Sequence, residues 1–421
     1  MRKIKIISYI LLLCLMLSVT AVPAFGAVEE TRGIMADSAG RVVAVSHRGD
    51  TVLYPANSLE AIKSASENGA DAVSVAVNKT SDGKFVLCED VTLSNVCETT
   101  SASLGDISLD ELKKCRLYNC YGEPTEIYPV SLSEALEALG GSTYLILDIK
   151  YEDMEDVCRI LEEYGAYSYV SLRCKVKTSN IKNLSSLDAD VIGVYTGNIV
   201  WNSIGHINKL SEAGMMMAEY RTKNYFNVCY GTFVGDNFSA EGKARAVAAA
   251  YDPDLCGKRT DDTNGWNELI KNGFTVIETN NAASLSEYIN TSETVHESLV
   301  ALTDKVKKTD FSAYSEVSRK NISAALSFAE EVLEGRAKSL AEYEKAYSSL
   351  AQSLNSKMIA DGKEQAKGAL NITAGKVIAA IAIGAAFIAV QIFIERLKKE
   401  KNTETEEKNN GNETEKLDNK S

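Results

Sequence analysis

The chain has 421 residues, 45% of them hydrophobic and 24% charged, with a net charge of −13 at pH 7. That length holds one large domain and a smaller one, and the acidic balance excludes the basic footprint that nucleic-acid recognition requires.

In chain order, Arg2, Lys3 and Lys5 precede an apolar run from Ile6 to Met16, and Ala24-Phe25-Gly26-Ala27 follows. Residues 1–26 therefore read as a secretory signal cut after Gly26. Cys14 belongs to the signal's apolar core, and the remaining cysteines all lie between Cys88 and Cys256. Outside the cell an even count permits disulfides, with Cys115–Cys120 or Cys88–Cys97 close enough in sequence to be local pairs. Free thiols acting as small hydrophobes are the alternative.

From Val42 to Ile289 short apolar runs alternate with segments of helical period. Strands are expected at "VVAV" (42), "DAVSVAV" (71), "YLILDI" (144), "YVSLR" (169), "VIGVY" (191), "MMMAEY" (215), "GTFVG" (231) and "FTVIE" (274). Helices are expected over Leu59–Glu67, Leu132–Leu139, Met154–Tyr164 and Trp266–Lys271. This alternation predicts an α/β chain with a parallel sheet, and its size over residues 40–290 is that of a (β/α)₈ TIM-type barrel. Reacting residues in such a barrel sit where strands end and loops begin; His47, Ser74, Ala76, Glu89 and Asp148 all fall there.

The segment "HRG" at 47, "PANSLEA" at 55, "GAD" at 69, "TSDG" at 80, "DVTL" at 90 and "TT" at 99 resembles the N-terminal signature of the glycerophosphodiester phosphodiesterase family, in the same order and spacing. "LILDIK" at 145 is similar to that family's fourth-strand motif, and "GFTVIETNNAASLSEYI" at 273 to its closing segment. The resemblance implies a barrel, a bound divalent cation, and hydrolysis of glycerophosphodiesters by two histidines.

Carried over residue by residue, the resemblance places His47 on the first catalytic histidine, Arg48 on the phosphate-binding arginine and Lys150 on the fourth-strand lysine. The second histidine falls on Glu89, with Asp90 and Leu93 setting the register, and the glutamate of the second motif falls on Ala56. The acidic metal positions fall on Ser74, Ala76 and Asp148, so one carboxylate stands where three would serve a hard cation. Metal binding is expected to be weak, through Asp148 alone. Losing an acid or base group costs roughly a hundredfold to ten-thousandfold in rate, and losing the Lewis acid removes a further several kcal/mol. Arg48 and Lys150 remain as a cationic pair suited to a phosphate ester, while Arg48 could equally pair with Asp148 or Glu89 to neutralise the barrel mouth.

Beyond the barrel, residues 291–370 are expected to form a helical stalk. It opens with a helix near Val295–Val306, followed by stripes at Ile322, Ala325, Leu326, Ala329, Val332 and Leu333 and at Leu340, Tyr343, Tyr347, Leu350 and Leu354. His296 reads as a solvated helix residue. Residues 377–394 are apolar apart from Gln391 and are followed by Arg396, Lys398, Lys399 and Lys401, which reads as a single membrane span with its basic side in the cytoplasm. Residues 395–421 read as a disordered cytoplasmic tail.

Two function classes follow. The first is an extracellular, membrane-tethered barrel with a degraded metal and acid/base site that binds or displays at the cell surface, needs no cofactor, and has phosphate esters or glycerophosphate polymers as possible partners. The second is an active phosphoric diester hydrolase of lipid metabolism that uses Ca²⁺ or Mg²⁺.

Overall fold

The computed structural model describes residues 35, 41–89, 92–175, 180, 190–196, 209, 217–221, 245–252, 260–312, 314–334 and 338–355. Its strands, in chain order, are Val43–His47 (β1), Ala72–Lys79 (β2), Phe85–Leu87 (β3), Tyr144–Asp148 (β4), Val170–Lys175 (β5), Asp190–Thr196 (β6), Met217–Arg221 (β7), Arg245–Ala249 (β8) and Val276–Thr279 (β9). All except β3 pair in parallel in the order β1-β9-β8-β7-β6-β5-β4-β2, and β1 pairs back onto β2, which closes a ring of eight. β3 adds to β2 in antiparallel fashion, with Val77 opposite Leu87.

Such strands are covered on both faces, so they read as nearly continuous apolar runs. Val43, Val45, Val73, Val75, Leu145, Leu147, Val170, Leu172, Val247, Val276 and Ile277 are all fully buried or within 1% of it. The seventh barrel strand in chain order is one the sequence reading did not expect. It is "RAVAA" at Arg245–Ala249, whereas "GTFVG" at 231 lies outside the described residues. Three alanines behind an arginine carry little hydropathy, yet β8 sits between β7 and β9 and is buried along its whole length.

The helices that flank the ring carry conventional start signals. Leu59–Glu67 (α1) begins at Ser58, whose hydroxyl accepts from the Ala61 amide. After a four-residue helix at Leu109–Leu112 (α2), Leu132–Leu139 (α3) begins with a Ser131/Glu134 capping box and ends at Gly140 in the left-handed conformation. Met154–Glu163 (α4) and Thr263–Lys271 (α5) complete the described outer layer.

Two elaborations stand on this frame. Between β2 and α3 the chain builds a small separate core from Val86, Cys88, Leu93, Cys97, Leu104, Ile107, Leu112 and Leu117, with Cys115 packed against it. Cys97 lies opposite Leu117 in an antiparallel bridge, and its thiol interacts with that of Cys115. Cys97, Cys115, Cys120 and Cys174 carry free thiols.

The second elaboration is helical. Ala282–Lys307 (α6) begins as the helix after β9 and continues for 26 residues into a three-helix unit with Glu316–Leu333 (α7) and Leu340–Asn355 (α8). The expected helix start near Val295, and the boundary between residues 290 and 291, therefore fall inside one continuous helix. Ile322, Ala325, Ala329 and Val332 of the first stripe and Tyr343, Tyr347, Leu350 and Leu354 of the second are buried. The unit folds back along the barrel: the Leu340 amide donates to the Tyr288 hydroxyl (3.1 Å), which itself donates to Asn267 Oδ1 (2.7 Å). His296 corrects another expectation, because its ring meets Tyr343 edge-on at 5.0 Å instead of standing in solvent.

No helix among the described residues is long and apolar enough to cross a membrane. The expected signal at 1–26, span at 377–394 and tail at 395–421 lie outside the described residues.

Candidate functional site at the barrel mouth

The "HRG" motif is a turn at the end of β1. Arg48 adopts a left-handed backbone (φ 65°) and Gly49 follows at φ 87°. The Arg48 amide donates to the Ser74 carbonyl and its own carbonyl accepts from Asn57, both at 2.9 Å, which fixes the turn against β2 and the loop before α1. A side chain at position 49 would bring its Cβ to 2.6 Å from the Ala61 carbonyl carbon, so only glycine lets α1 approach. Asn57, also left-handed, accepts from the Ala76 amide at 2.8 Å. The motif thus fixes the backbone from which His47 and Arg48 project.

His47 is stacked flat on Tyr251, with ring centroids 3.6 Å apart and planes 4° apart, and its Nδ1 donates to Asn280 Oδ1 at 3.2 Å. Burial pushes its pKa below the usual imidazole value, against the raising effect of Glu278. Burial thus favours the neutral ring, and the contact with Asn280 Oδ1 favours the tautomer in which Nδ1 carries the proton.

Arg48 is held from two sides. Its Nε donates to Glu89 Oε1 at 2.8 Å and its Nη1 to Asp148 Oδ2 at 2.7 Å. Burial opposes its charge most strongly, but Asp148, Glu278 and Glu89 together outweigh that penalty and raise the pKa. Of the two sequence alternatives for Arg48, pairing with Asp148 and Glu89 is the one the geometry displays.

The centre of the barrel holds a residue that the sequence reading did not single out. Arg173, on β5 in register with Asp148 of β4, is 1% exposed. Its Nε and Nη2 donate to the two Asp148 oxygens, while Nη2 and Nη1 donate to Glu278 Oε1 (2.9 Å) and Oε2 (2.5 Å) on β9. Nη1 also lies 3.0 Å from Oε2 of the fully buried Glu219 on β7. Four of the five guanidinium donors are thus spent on Asp148 and Glu278, while Glu219 lies beside Nη1 as an ion pair. Burial opposes the charges of Arg173, Asp148 and Glu278; the guanidinium nevertheless holds Asp148 and Glu278 well below the ordinary carboxylate range, and the carboxylates raise Arg173 in return. The signal for these residues was present: "YVSLR", "MMMAEY" and "FTVIE" each carry a single charge that breaks an apolar run.

The positions expected to hold a metal can be tested against these contacts. The Ser74 hydroxyl donates to Glu278, Ala76 supplies no donor atom, and both Asp148 oxygens are taken by arginines. Glu219 and Glu278 add carboxylates to the site, but both converge on Arg173. Among the described residues there is no cluster of three or more His, Cys, Asp or Glu side chains placed to hold a metal ion. A divalent cation would have to share its ligands with a guanidinium, and the residues do not fit one. Lys150, just past β4, is exposed. Counted together, two guanidinium groups face four carboxylates, Glu89, Asp148, Glu219 and Glu278, so the described mouth carries excess negative charge.

Comparison with known proteins shows a partial likeness around this site. Residues 47–190 match the model of the glycerophosphoryl diester phosphodiesterase family. The chain is 28% identical over 165 residues to glycerophosphodiester phosphodiesterase 1 of Homo sapiens, a match covering 37% of this chain and 49% of that protein. It is 31% identical over 136 residues to a glycerophosphodiester phosphodiesterase of Caldanaerobacter subterraneus subsp. tengcongensis, covering 30% and 54% respectively. The chain thus spans about half the length of the curated relatives it matches. Among solved structures, a glycerophosphoryl diester phosphodiesterase from Parabacteroides distasonis superposes with a TM-score of 0.52 at 20% identity, over 63% of this chain and 92% of that one, a likeness of fold.

Proposed function

We propose, from the family match at 47–190 and the contacts at the barrel mouth, that this chain is a glycerophosphodiester phosphodiesterase-type barrel that does not turn over glycerophosphodiesters. In this reading it is an extracellular module tethered to the membrane by residues 377–394, and it works by binding or display at the cell surface. One observation carries the reading: Arg48, the phosphate-binding arginine of the resemblance, is closed by Glu89, which itself stands where the second catalytic histidine is expected. The side chain that should protonate a leaving alkoxide is thus a carboxylate bound to a guanidinium, and a phosphate ester must displace it to reach Arg48.

Phosphate esters and glycerophosphate polymers therefore bind weakly, and only with Glu89 swung aside. Each charge-assisted contact they would gain contributes about 1.5–3 kcal/mol, against the loss of an equivalent contact to Glu89. The hydrolase reading keeps one observation in its favour, a His47 whose neutral form burial favours and whose contact with Asn280 is made through Nδ1 and not Nε2.

The deciding experiment incubates the full chain with glycerophosphocholine and glycerophosphoglycerol, with and without Ca²⁺ or Mg²⁺, beside a His47→Ala control. No turnover above the control is expected. Metal-stimulated hydrolysis abolished by His47→Ala would establish the enzyme in place of the display module.

A further inference from the structure

The insertion between β2 and α3 carries a small core of its own, apart from that of the barrel, and Cys88, Cys97 and Cys115 lie in it or against it. A core of that size buries little apolar surface, and small cores gain most from a covalent tie. Cys97 is fully buried opposite Leu117 in an antiparallel bridge. The Glu98 amide donates to the Arg116 carbonyl and the Tyr118 amide to the Val96 carbonyl, both at 2.9 Å, so the backbone is held on either side of Cys97. Cys115 comes two residues before Leu117, where the chain bends. Its half-buried side chain lies against the small core and in contact with the Cys97 thiol.

We propose that Cys97 and Cys115 are a disulfide-forming pair that staples this insertion. The inference goes beyond the binding reading and does not depend on it. It also replaces both local pairs that spacing suggested: the Cys88 thiol is directed to the Glu89 carbonyl at 3.5 Å, and the exposed Cys120 thiol to the Val52 carbonyl at 3.9 Å. Cys97 and Cys115 stand 18 positions apart, so the bond closes a loop that restricts the unfolded chain. Val86 and Cys88, which lead into Glu89, belong to the same core, so the tie lies in the element that carries the carboxylate closing Arg48.

The oxidant is a low-molecular-weight disulfide such as oxidised glutathione. Burial pushes the Cys97 thiol up to about 12, so the first attack falls to Cys115. The Cys115 thiolate attacks one sulfur of the reagent, whose S–S bond breaks; one glutathione leaves as thiolate and a mixed disulfide remains on Cys115. Cys97 then gives its proton to solvent and its sulfur attacks that of Cys115, forming the protein disulfide and releasing the second glutathione. Two protein thiols lose two electrons and two protons, and the reagent takes up both as two thiols.

The experiment reduces the full chain and equilibrates it with graded mixtures of reduced and oxidised glutathione. Remaining thiols are trapped with iodoacetamide in denaturant. Cleavage after Glu, Lys and Arg then puts Cys88, Cys97, Cys115 and Cys120 on separate peptides for mass analysis without reduction. A linked Cys97–Cys115 peptide is expected to become the major form of both cysteines at ratios where Cys120 is still labelled. The oxidised chain should melt a few degrees higher than the reduced one. Cys97→Ser and Cys115→Ser should each abolish the link and the difference in melting.

A link of Cys97 to any other cysteine, or a Cys97 that stays labelled at the most oxidising ratio, overturns the proposal. So does a linked chain that melts no higher than the reduced one. Should Cys97→Ser fail to fold, Cys115→Ser serves as the control, because its side chain is only half-buried, and the peptide map of the wild-type chain decides the pairing by itself. None of these readouts involves phosphate esters or hydrolysis, so failure of the disulfide leaves the non-catalytic reading where it stands.

Discussion

The barrel interior and the helical unit of α6, α7 and α8 are both buried, yet they are held together by opposite means. In the barrel, Arg173 and Arg48 tie together carboxylates from strands far apart in sequence. In the helical unit, Leu299, Leu302, Ile322, Ala329, Ala346, Leu350 and Leu354 pack at helical spacing, with Tyr343 and Tyr347 as the larger members. The difference teaches where each region is vulnerable. An apolar stripe loses a contact in proportion to the atoms removed, whereas an ionic centre fails abruptly when one partner leaves an uncompensated charge.

The sharpest break in that comparison should come from the acids. Glu278→Ala removes the bidentate partner of Arg173 and the acceptor of Ser74. It is expected to lower stability by about 3–5 kcal/mol, as removing one partner of a buried pair does, and chemical denaturation is the measurement. A loss no larger than that of an exposed substitution would mean that the network contributes little to folding.

Leu350→Ala should cost somewhat less on average, about 2–5 kcal/mol according to how far the site can collapse. Hydrogen exchange should place that loss mainly in α7 and α8. Because α6 belongs to both regions, its C-terminal half should open with the unit while residues 282–290 stay with the barrel. Uniform loss of protection across β1 and β9 would show that the two regions unfold as one.

Acidification should move the two regions in opposite directions. His47 sits below its unfolded value of about 6.5, so the unfolded chain takes up that proton first and barrel stability falls as pH drops through the interval. Asp148 and Glu278 are depressed by Arg173 despite their burial; their contribution is fully present above the unfolded carboxylate values near pH 4 and is lost as pH falls through their folded values. In the helical unit burial raises Glu293 and Glu344, with Arg41 partly offsetting the effect at Glu293. Those acids bind protons first in the folded state, so lowering the pH toward 4 strengthens the unit. Protection factors compared at neutral and mildly acidic pH should therefore diverge, and a parallel decline in both regions would contradict the assignment.

The smallest effect concerns thiol labelling, which reports on the barrel and its insertion alone because the cysteines beyond the signal stop at Cys256. Exposed Cys120 should react readily with iodoacetamide, while burial pushes Cys97 and Cys174 up to about 12 and leaves almost no thiolate at neutral pH. Leu350→Ala should leave the Cys174 rate unchanged and Glu278→Ala should raise it, since Cys174 follows Arg173 on β5. Alkylation followed by peptide mass analysis provides the measurement.

The helical unit was legible because its cohesion is local: periods of three and four residues place Ile322, Ala325, Ala329 and Val332 on one face whatever they pack against. The β1–β2 region was legible for a different reason. "HRG" and Asn57 require particular backbone conformations and a close approach at Gly49, so residue type and spacing are bound to geometry. The strand "RAVAA" escaped notice because its burial comes from its two neighbours in the ring and not from its own hydropathy. The continuity of α6 across residue 290 escaped for a related reason, since nothing in the residues marks where a barrel helix becomes a helix of the next unit.

The sequence by itself determined the alternation of strands and helices, the turn that presents His47 and Arg48, and the absence of acids at Ser74 and Ala76. Those properties depend on residues near one another in the chain. Only the tertiary structure decided what lies at the centre. Arg173, Glu219 and Glu278 are single charges in separate apolar runs, with 45 and 58 positions between successive members, and no local pattern relates them. Closure of the ring brings them within hydrogen-bonding range. An arginine that looks like the polar end of a strand thereby becomes the counter-charge of the barrel, because electrostatic pairing depends on distance in space and sequence records only distance along the chain.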